Sequence, residues 1–203
     1  MKLLPLLAPF VILLVVSAAD AATISGESTA ALETTGPYAG WYRYDFTVTW
    51  DLEAGAGLSH WDLLMKMGCA EPDHLYASDD PAGYSNSEEE PENMTAVSWT
   101  MSFLPGGDPT TGSTGPAIKY EHADNPSANP GPQGTGSFWF YSNVIPEFGA
   151  FENALVGKSG SGTVTFGTLT GDWPSCSIPE PGTMILIAVG VLPILSGLKR
   201  SRR

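Results

Sequence analysis

The stretch WYRYDFTVTWDL, residues 41–52, decides the fold class. Tyr42, Tyr44, Phe46, Val48, Trp50 and Leu52 alternate with Arg43, Asp45, Thr47, Thr49 and Asp51. Alternation of apolar and polar side chains, with aromatic and β-branched content, describes a strand with one buried face. Leu58–Lys66 (LSHWDLLMK) reads as a second strand after the turn Gly55-Ala56-Gly57. In Met94–Leu104, Val97, Trp99, Met101 and Phe103 alternate with Ser98, Thr100 and Ser102. Ala117–Glu121, Ser137–Ser142 and Gly162–Thr170 read as further short strands, separated by Gly/Pro-rich stretches at Pro105–Pro116 and Asn125–Gly136. No amphipathic helix and no internal repeat stands out in this body. Short strands punctuated by Gly/Pro turns predict an all-β chain, an antiparallel β-sandwich with at most short helical turns.

Composition agrees with one folded domain plus targeting segments. The chain has 203 residues, of which 42% are hydrophobic and only 15% charged, with 23 glycines and 17 prolines. Gly and Pro together stay below the roughly 25–30% that marks low complexity, and the apolar fraction is enough for a core. Nine basic residues stand against 22 acidic ones, for a net charge of −13. That balance argues against a nucleic-acid partner, which would demand a basic surface.

The two ends read as addresses. Residues 1–21, MKLLPLLAPFVILLVVSAADA, begin with Lys2, continue as an apolar run from Leu3 to Val16 broken by Pro5 and Pro9, and finish on Ala19-Asp20-Ala21. This is the layout of a secretory signal peptide, cut by signal peptidase after Ala21. The uninterrupted apolar stretch is short of the roughly 20 residues that a membrane span needs. At the other end, Pro179-Glu180-Pro181 precedes the uncharged Gly182–Leu198, and Lys199, Arg200, Arg202 and Arg203 close the chain. The apolar part reads as a single hydrophobic helix at the lower limit for crossing a bilayer, with its basic tail held in the cytoplasm. The expected organisation is a signal peptide at 1–21, an exported body at 22–178 and a sorting tail at 179–203.

That tail, with its three features in this order at the end of a chain that also carries an export signal, resembles the PEP-CTERM sorting signal. The resemblance covers Pro179–Arg203. In that family a membrane transpeptidase, exosortase, recognises the motif, cuts near it, and releases or transfers the protein. The resemblance therefore implies that Pro179, Glu180 and Pro181 are recognised rather than catalytic. It also implies a protein transiently anchored in the inner membrane, then found at the cell surface or outside, in a Gram-negative-type bacterium with extracellular polysaccharide and biofilm genes. Pro193 departs from the smoothest tails of the family, although membrane helices tolerate proline.

With both ends removed, residues 22–178 hold 20 acidic residues and four basic ones, Arg43, Lys66, Lys119 and Lys158, for a net charge of −16. Such a surface repels nucleic acid and anionic membrane, and it could gather divalent cations weakly. Cys69 and Cys176 are the only cysteines, both in the exported body. An oxidising compartment favours their pairing; two free thiols are the alternative. A disulfide would close a loop of about 107 residues, worth roughly 4–5 kcal/mol in the chain-entropy model.

A looser likeness spans residues 40–176. LSHWDLLM, Gly68-Cys69, Ile118-Lys119-Tyr120-Glu121, Phe138-Trp139-Phe140, Gly157-Lys158-Ser159-Gly160 and Gly171-Asp172-Trp173-Pro174-Ser175-Cys176 follow one another in this order. Together they are similar to a two-cysteine bacterial surface β-domain that recurs ahead of different cell-surface anchors. That likeness implies structure and display, and no enzymatic activity comes with it.

Gly157-Lys158-Ser159 is not a phosphate loop, because Glu152 stands where the pattern needs its first glycine; it reads as a Gly/Ser hairpin turn. His60, beside Trp61 and Asp62, is either a metal ligand or general base, or a structural histidine near a strand edge, and the structural reading is preferred. His74 and His122 lie near Asp73 and Asp124 without metal-ligand spacing. The acidic run Glu88-Glu89-Glu90 with Glu92, and Asp79-Asp80-Pro81-Ala82-Gly83 before it, lack a calcium-loop register, so a solvated loop is expected. Asn93-Met94-Thr95 fits a glycosylation sequon by chance. The six tryptophans and seven tyrosines could form a sugar-stacking platform, but aromatics at alternating strand positions are expected in the core. Carboxylate pairs such as Asp45 or Asp51 with Glu53 or Asp62 would be needed for a secreted hydrolase.

These readings favour a non-enzymatic exported surface or matrix protein, processed by exosortase and associated with exopolysaccharide. They call for no cofactor and no metal. A carbohydrate-binding module is the main alternative, and a secreted hydrolase is the remaining one.

Overall fold

The computed structural model describes residues 21–52, 57–122 and 129–176. Strands β1 (Thr23–Leu32), β2 (Tyr42–Asp51) and β3 (Leu58–Leu64) are followed by a 3-10 turn at Met67–Ala70. Then come β4 (Tyr76–Ala77), β5 (Gly83–Ser85), β6 (Val97–Leu104), β7 (Ala117–His122), β8 (Gln133–Ser142), β9 (Pro146–Ser159) and β10 (Val164–Pro174). The chain is all-β, as expected. Among the described residues no helix is long and apolar enough to cross a membrane. The expected signal peptide and the expected C-terminal helix at Gly182–Leu198 lie outside the described residues, apart from Ala21.

The sandwich expectation is corrected: the strands close into a barrel. The order β2-β1-β10-β9-β3-β7-β6-β5-β8 returns to β2 through a ten-residue β2–β8 pairing from Tyr42↔Ser142 to Asp51↔Gln133. Short β4 pairs with Tyr141 and Ser142 of β8, on the side that β5 occupies further along at Gly136–Phe138, so β4 and β5 share one stave of a nine-stave wall. Alternation along a strand says which side chains are buried. It does not say whether the buried face meets a second sheet or the far side of its own, because both arrangements need the same pattern. Closure removes most of the sheet edge; on the β4/β5 stave, β5 pairs with both β6 and β8, whereas β4 pairs with β8 alone.

An odd number of staves cannot all be antiparallel to both neighbours, so one parallel contact is forced. It falls between the two end strands of the barrel, β1 and β10, from Ser25↔Thr168 to Ser28↔Gly171. Parallel neighbours that follow each other in sequence need a long crossover, and using the first and last strands avoids that need. The two backbones meet closely. A side chain at Gly167 would put its Cβ 1.7 Å from the Ile24 carbonyl oxygen, and one at Gly171, whose φ is +126°, would put it 2.0 Å from that of Ser28.

The barrel interior is packed with rings. Tyr44, Phe46, Trp50, Trp61, Trp99, Tyr120, Phe138 and Phe140 are fully buried. Trp61 stacks on Tyr120 at 4.4 Å and meets Phe138 edge-on at 4.8 Å, favoured geometries for aromatic pairs. Trp50 Nε1 donates to the Gly131 carbonyl, Trp99 Nε1 to Ser85 Oγ, and the Tyr44 hydroxyl to the Val144 carbonyl, whereas Trp61 Nε1 and the Tyr120 hydroxyl have no hydrogen-bond partner. The inner positions of β1 instead hold Ile24, Gly26 and Ser28, because Leu155 and Leu169 fill that side; their Cδ1 atoms lie 2.9 and 3.2 Å from where a Gly26 Cβ would sit.

Candidate functional site

Alternation along β3 and β7 sorts two sets of side chains. Trp61, Leu63, Ile118 and Tyr120 enter the barrel core. By the period of two, His60, Asp62, Lys119 and Glu121 therefore project from the outer wall, and the register pairs His60 with Glu121 and Asp62 with Lys119. An outer face normally meets water. Yet His60 is only 4% exposed and Asp62 0%, because the segment Pro105–Pro116 between β6 and β7 folds over them.

That segment is shaped by Asp108. Its amide donates to Ser113 Oγ at 2.6 Å, its carbonyl accepts from the Thr111 and Ser113 amides, and its Oδ1 accepts the Thr110 amide at 2.7 Å. Asp-Pro-Thr-Thr supports such a side-chain-to-backbone turn. The turn brings Asp108, itself 2% exposed, against the wall. Thr111 Oγ1 donates to Asp62 Oδ2 at 2.7 Å, and Thr110 Oγ1 lies 3.0 Å from His60 Nε2. Asp108 Oδ2 stands 3.5 Å from His60 Nε2 and 3.4 Å from Lys119 Nζ, which also reaches Glu121 Oε1 at 3.3 Å. Two buried oxygens in the cluster, Asp62 Oδ1 and Asp108 Oδ2, accept no hydrogen bond.

The electrostatics follow from burial. Desolvation, helped by the Lys119 charge, pushes the His60 imidazole down to about 4, so it is neutral at ordinary pH. Desolvation, reinforced by Asp108, lifts the Asp62 carboxyl to about 6 against the lowering effect of the Thr111 hydrogen bond. For Asp108, burial also works upward, but hydrogen bonds from Thr110 and the Lys119 and His60 charges outweigh it and hold the carboxyl below its ordinary value.

A second feature lies on the outer wall of β2, β5 and β8. Tyr84, Trp139, Arg43, Tyr141 and Tyr38 form a continuous strip. The Arg43 guanidinium sits 5.3 Å from the Trp139 ring centroid and 5.9 Å from that of Tyr141. Tyr38 stacks on Tyr141 at 4.1 Å, and Tyr84 lies 5.9 Å from Trp139.

Cys69, in the 3-10 turn, and Cys176, two residues past β10, are joined in a disulfide with Cα atoms 4.9 Å apart. Of the residues singled out in the sequence, the structure brings His60 and Asp62 together, and Asp108 joins them. Asp45 and Asp51 lie on β2, which is not a neighbour of β3; Glu53 lies outside the described residues. His74 is structural, its Nδ1 2.9 Å from the Gly68 carbonyl, and His122 packs edge-on to Trp99. Glu88–Glu92 are exposed around a Ser87 turn. Gly157-Lys158-Ser159 ends β9, and the turn lies just beyond it. Asp108 was missed because its partners come from a distant strand; the Asx-turn signature Asp108-Pro109-Thr110 was the available signal.

Residues 177–203 match the family model of the PEP-CTERM protein-sorting motif. Pro179, Glu180, Pro181, Lys199, Arg200, Arg202 and Arg203 all fall within that match and outside the described residues. The chain therefore carries the sorting tail of an exported, exosortase-processed protein. No curated protein matches the chain.

Proposed function

We propose that this exported, exosortase-sorted chain delivers its barrel to the cell surface or extracellular matrix as a non-enzymatic component associated with exopolysaccharide. The observation that supports this reading is the junction between fold and tail. The last strand, β10, ends at Pro174 after pairing with β1, the Cys69–Cys176 bond follows within two residues, and the matched motif begins at residue 177. A cut at the motif thus separates the tail without removing a strand or the disulfide. Signal peptidase would act first, at the other end, just before β1. The tail's hydrophobic segment would hold the chain in the membrane until exosortase acts on Pro179-Glu180-Pro181.

The test is the mass of the mature protein from surface and medium fractions. Loss of Lys199–Arg203 in wild-type cells is expected. Uncut, membrane-bound chain is expected when Pro179, Glu180 and Pro181 are replaced by Ala or when exosortase is deleted. Mature protein that keeps Lys199–Arg203 would make the tail a plain anchor.

The carbohydrate-binding reading is favoured by the half-buried rings of Tyr84, Trp139 and Tyr38 in that strip, since rings on an outer wall can stack on sugars, whereas Tyr141 is buried beneath Tyr38. Retention on columns of the host's exopolysaccharide, weakened in Trp139→Ala, would support it. The hydrolase reading has less support: Asp62 and Asp108, the carboxylates that meet beside His60, are 0% and 2% exposed.

A further inference from the structure

We propose that His60, Asp62 and Asp108 form a binding site for one divalent first-row transition-metal ion, such as Zn²⁺ or Mn²⁺, that pins the 105–116 segment to the barrel wall.

Each of the three side chains offers a ligand atom, and these atoms all lie within 4.8 Å of one another. Each also has its other polar atom held elsewhere: Asp62 Oδ2 by Thr111, Asp108 Oδ1 by the Thr110 amide, and His60 Nδ1 by Ser59 Oγ at 3.3 Å. Such outer bonds orient metal ligands and fix the histidine tautomer. The remaining ligand atoms are Asp62 Oδ1 and Asp108 Oδ2, both without a hydrogen bond, and His60 Nε2, which Thr110 Oγ1 meets at 3.0 Å. A buried carboxylate oxygen without a hydrogen bond is costly, and a cation would satisfy Asp62 Oδ1 and Asp108 Oδ2 at once. The 3.5 Å from Asp108 Oδ2 to His60 Nε2 is close to the roughly 3.3 Å edge of a tetrahedron built on bonds of about 2.0–2.1 Å.

The donor set selects the ion. One imidazole with two carboxylates suits a first-row transition ion, whereas calcium prefers six to eight oxygens. Thr110 Oγ1, 3.0 Å from His60 Nε2, is a neutral oxygen near the same place. Lys119 is the competitor. Its ammonium lies 3.4 Å from Asp108 Oδ2, and Glu121 at 3.3 Å offers it another partner when an ion enters.

The test uses the full chain in detergent, stripped with EDTA and then freed of chelator. Zn²⁺ or Mn²⁺ should raise Tm in a concentration-dependent manner, with one ion bound per chain by calorimetry and elemental analysis. Asp62→Asn and Asp108→Asn should each weaken binding at least about tenfold, in line with losing a ligand. Lys119→Met should tighten it, because the competing charge is gone. That variant keeps the question open to measurement if the Asn variants do not fold: unchanged or weaker binding in Lys119→Met overturns the proposal. So does the absence of any transition-ion effect on Tm. Binding of several ions that persists in Asp62→Asn would assign the effect to the acidic surface, and stabilisation by Ca²⁺ alone would overturn the ion class.

Discussion

Thr111 holds Asp62 across the boundary between a loop and the barrel wall: its hydroxyl donates a 2.7 Å bond to Asp62 Oδ2, a residue 49 positions earlier. Thr111 is 6% exposed and Asp62 0%, so water cannot replace the bond. Thr111→Val keeps the shape and removes the donor, leaving both Asp62 oxygens unpaired. Urea unfolding of this variant should show a loss of about 1–3 kcal/mol. Proteolysis within residues 105–116 should quicken as the segment lifts. A loss no larger than that of a neutral surface change would mean that the segment is held by its own turn alone.

His60 and Asp62 should make nearly opposite contributions to stability over one pH window in metal-free protein. Asp62 is raised from 3.8 to about 6 on folding, so the folded state binds the extra proton and stability falls as pH rises from about 4 to 6. His60 is lowered from 6.5 to about 4, so the unfolded state binds the extra proton and stability rises between about 4 and 6.5. Each effect amounts to roughly 3 kcal/mol, and together they largely cancel. Asp62→Asn should unmask a stability that climbs with pH across this window, and His60→Gln one that declines. Parallel pH profiles for both variants and the parent would refute the coupling.

The sequence made six strands legible because each shows alternation or a compact aromatic run, as in Tyr42–Leu52 and Val97–Phe103. It hid β1, whose inner positions after Ile24 are Gly26 and Ser28, and β4 and β5, which are only two and three residues long. It also hid β9, where Glu152, Asn153 and Ala154 stand opposite the single Thr168, so the period of two breaks in mid-strand; Asn153 takes a φ of 57° there. Closure was illegible for a different reason. It depends on β8 returning to β2, a pairing between segments about 90 residues apart that leaves no local mark. The candidate site was half legible: His60 and Asp62 share a strand face, but Asp108 reaches them only through the fold of the 105–116 segment.

Gly171 should not tolerate a side chain. Its φ is +126°, and a Cβ would stand 2.0 Å from the Ser28 carbonyl oxygen at the parallel seam. Gly171→Ala adds backbone strain of about 1–3 kcal/mol and pushes β1 and β10 apart. The variant should unfold at lower urea than the parent by at least that amount, or fail to fold. The reference is Gly162→Ala, which also has a positive φ but has nothing within 4 Å of its Cβ. Equal losses in the two would show that strain alone acts at Gly171 and that the seam has room.

Reducing the Cys69–Cys176 bond should cost roughly 4–5 kcal/mol, mostly through the unfolded chain. The bond closes a loop of 107 residues, and loop-closure entropy of that size gives this figure before any native strain is counted. In the folded barrel it joins segments that follow β3 and β10, the two strands flanking β9. Those strands are already held by their own ladders, so the native structure should change little when the bond is cut. The unfolded chain, in contrast, gains freedom and exposes more surface. Urea unfolding with and without reductant should therefore show a lower midpoint together with a steeper slope in the reduced protein. The Cys69→Ala, Cys176→Ala double variant should match the reduced parent. A drop in midpoint with an unchanged slope and a loss below about 1 kcal/mol would place the effect in the folded state instead.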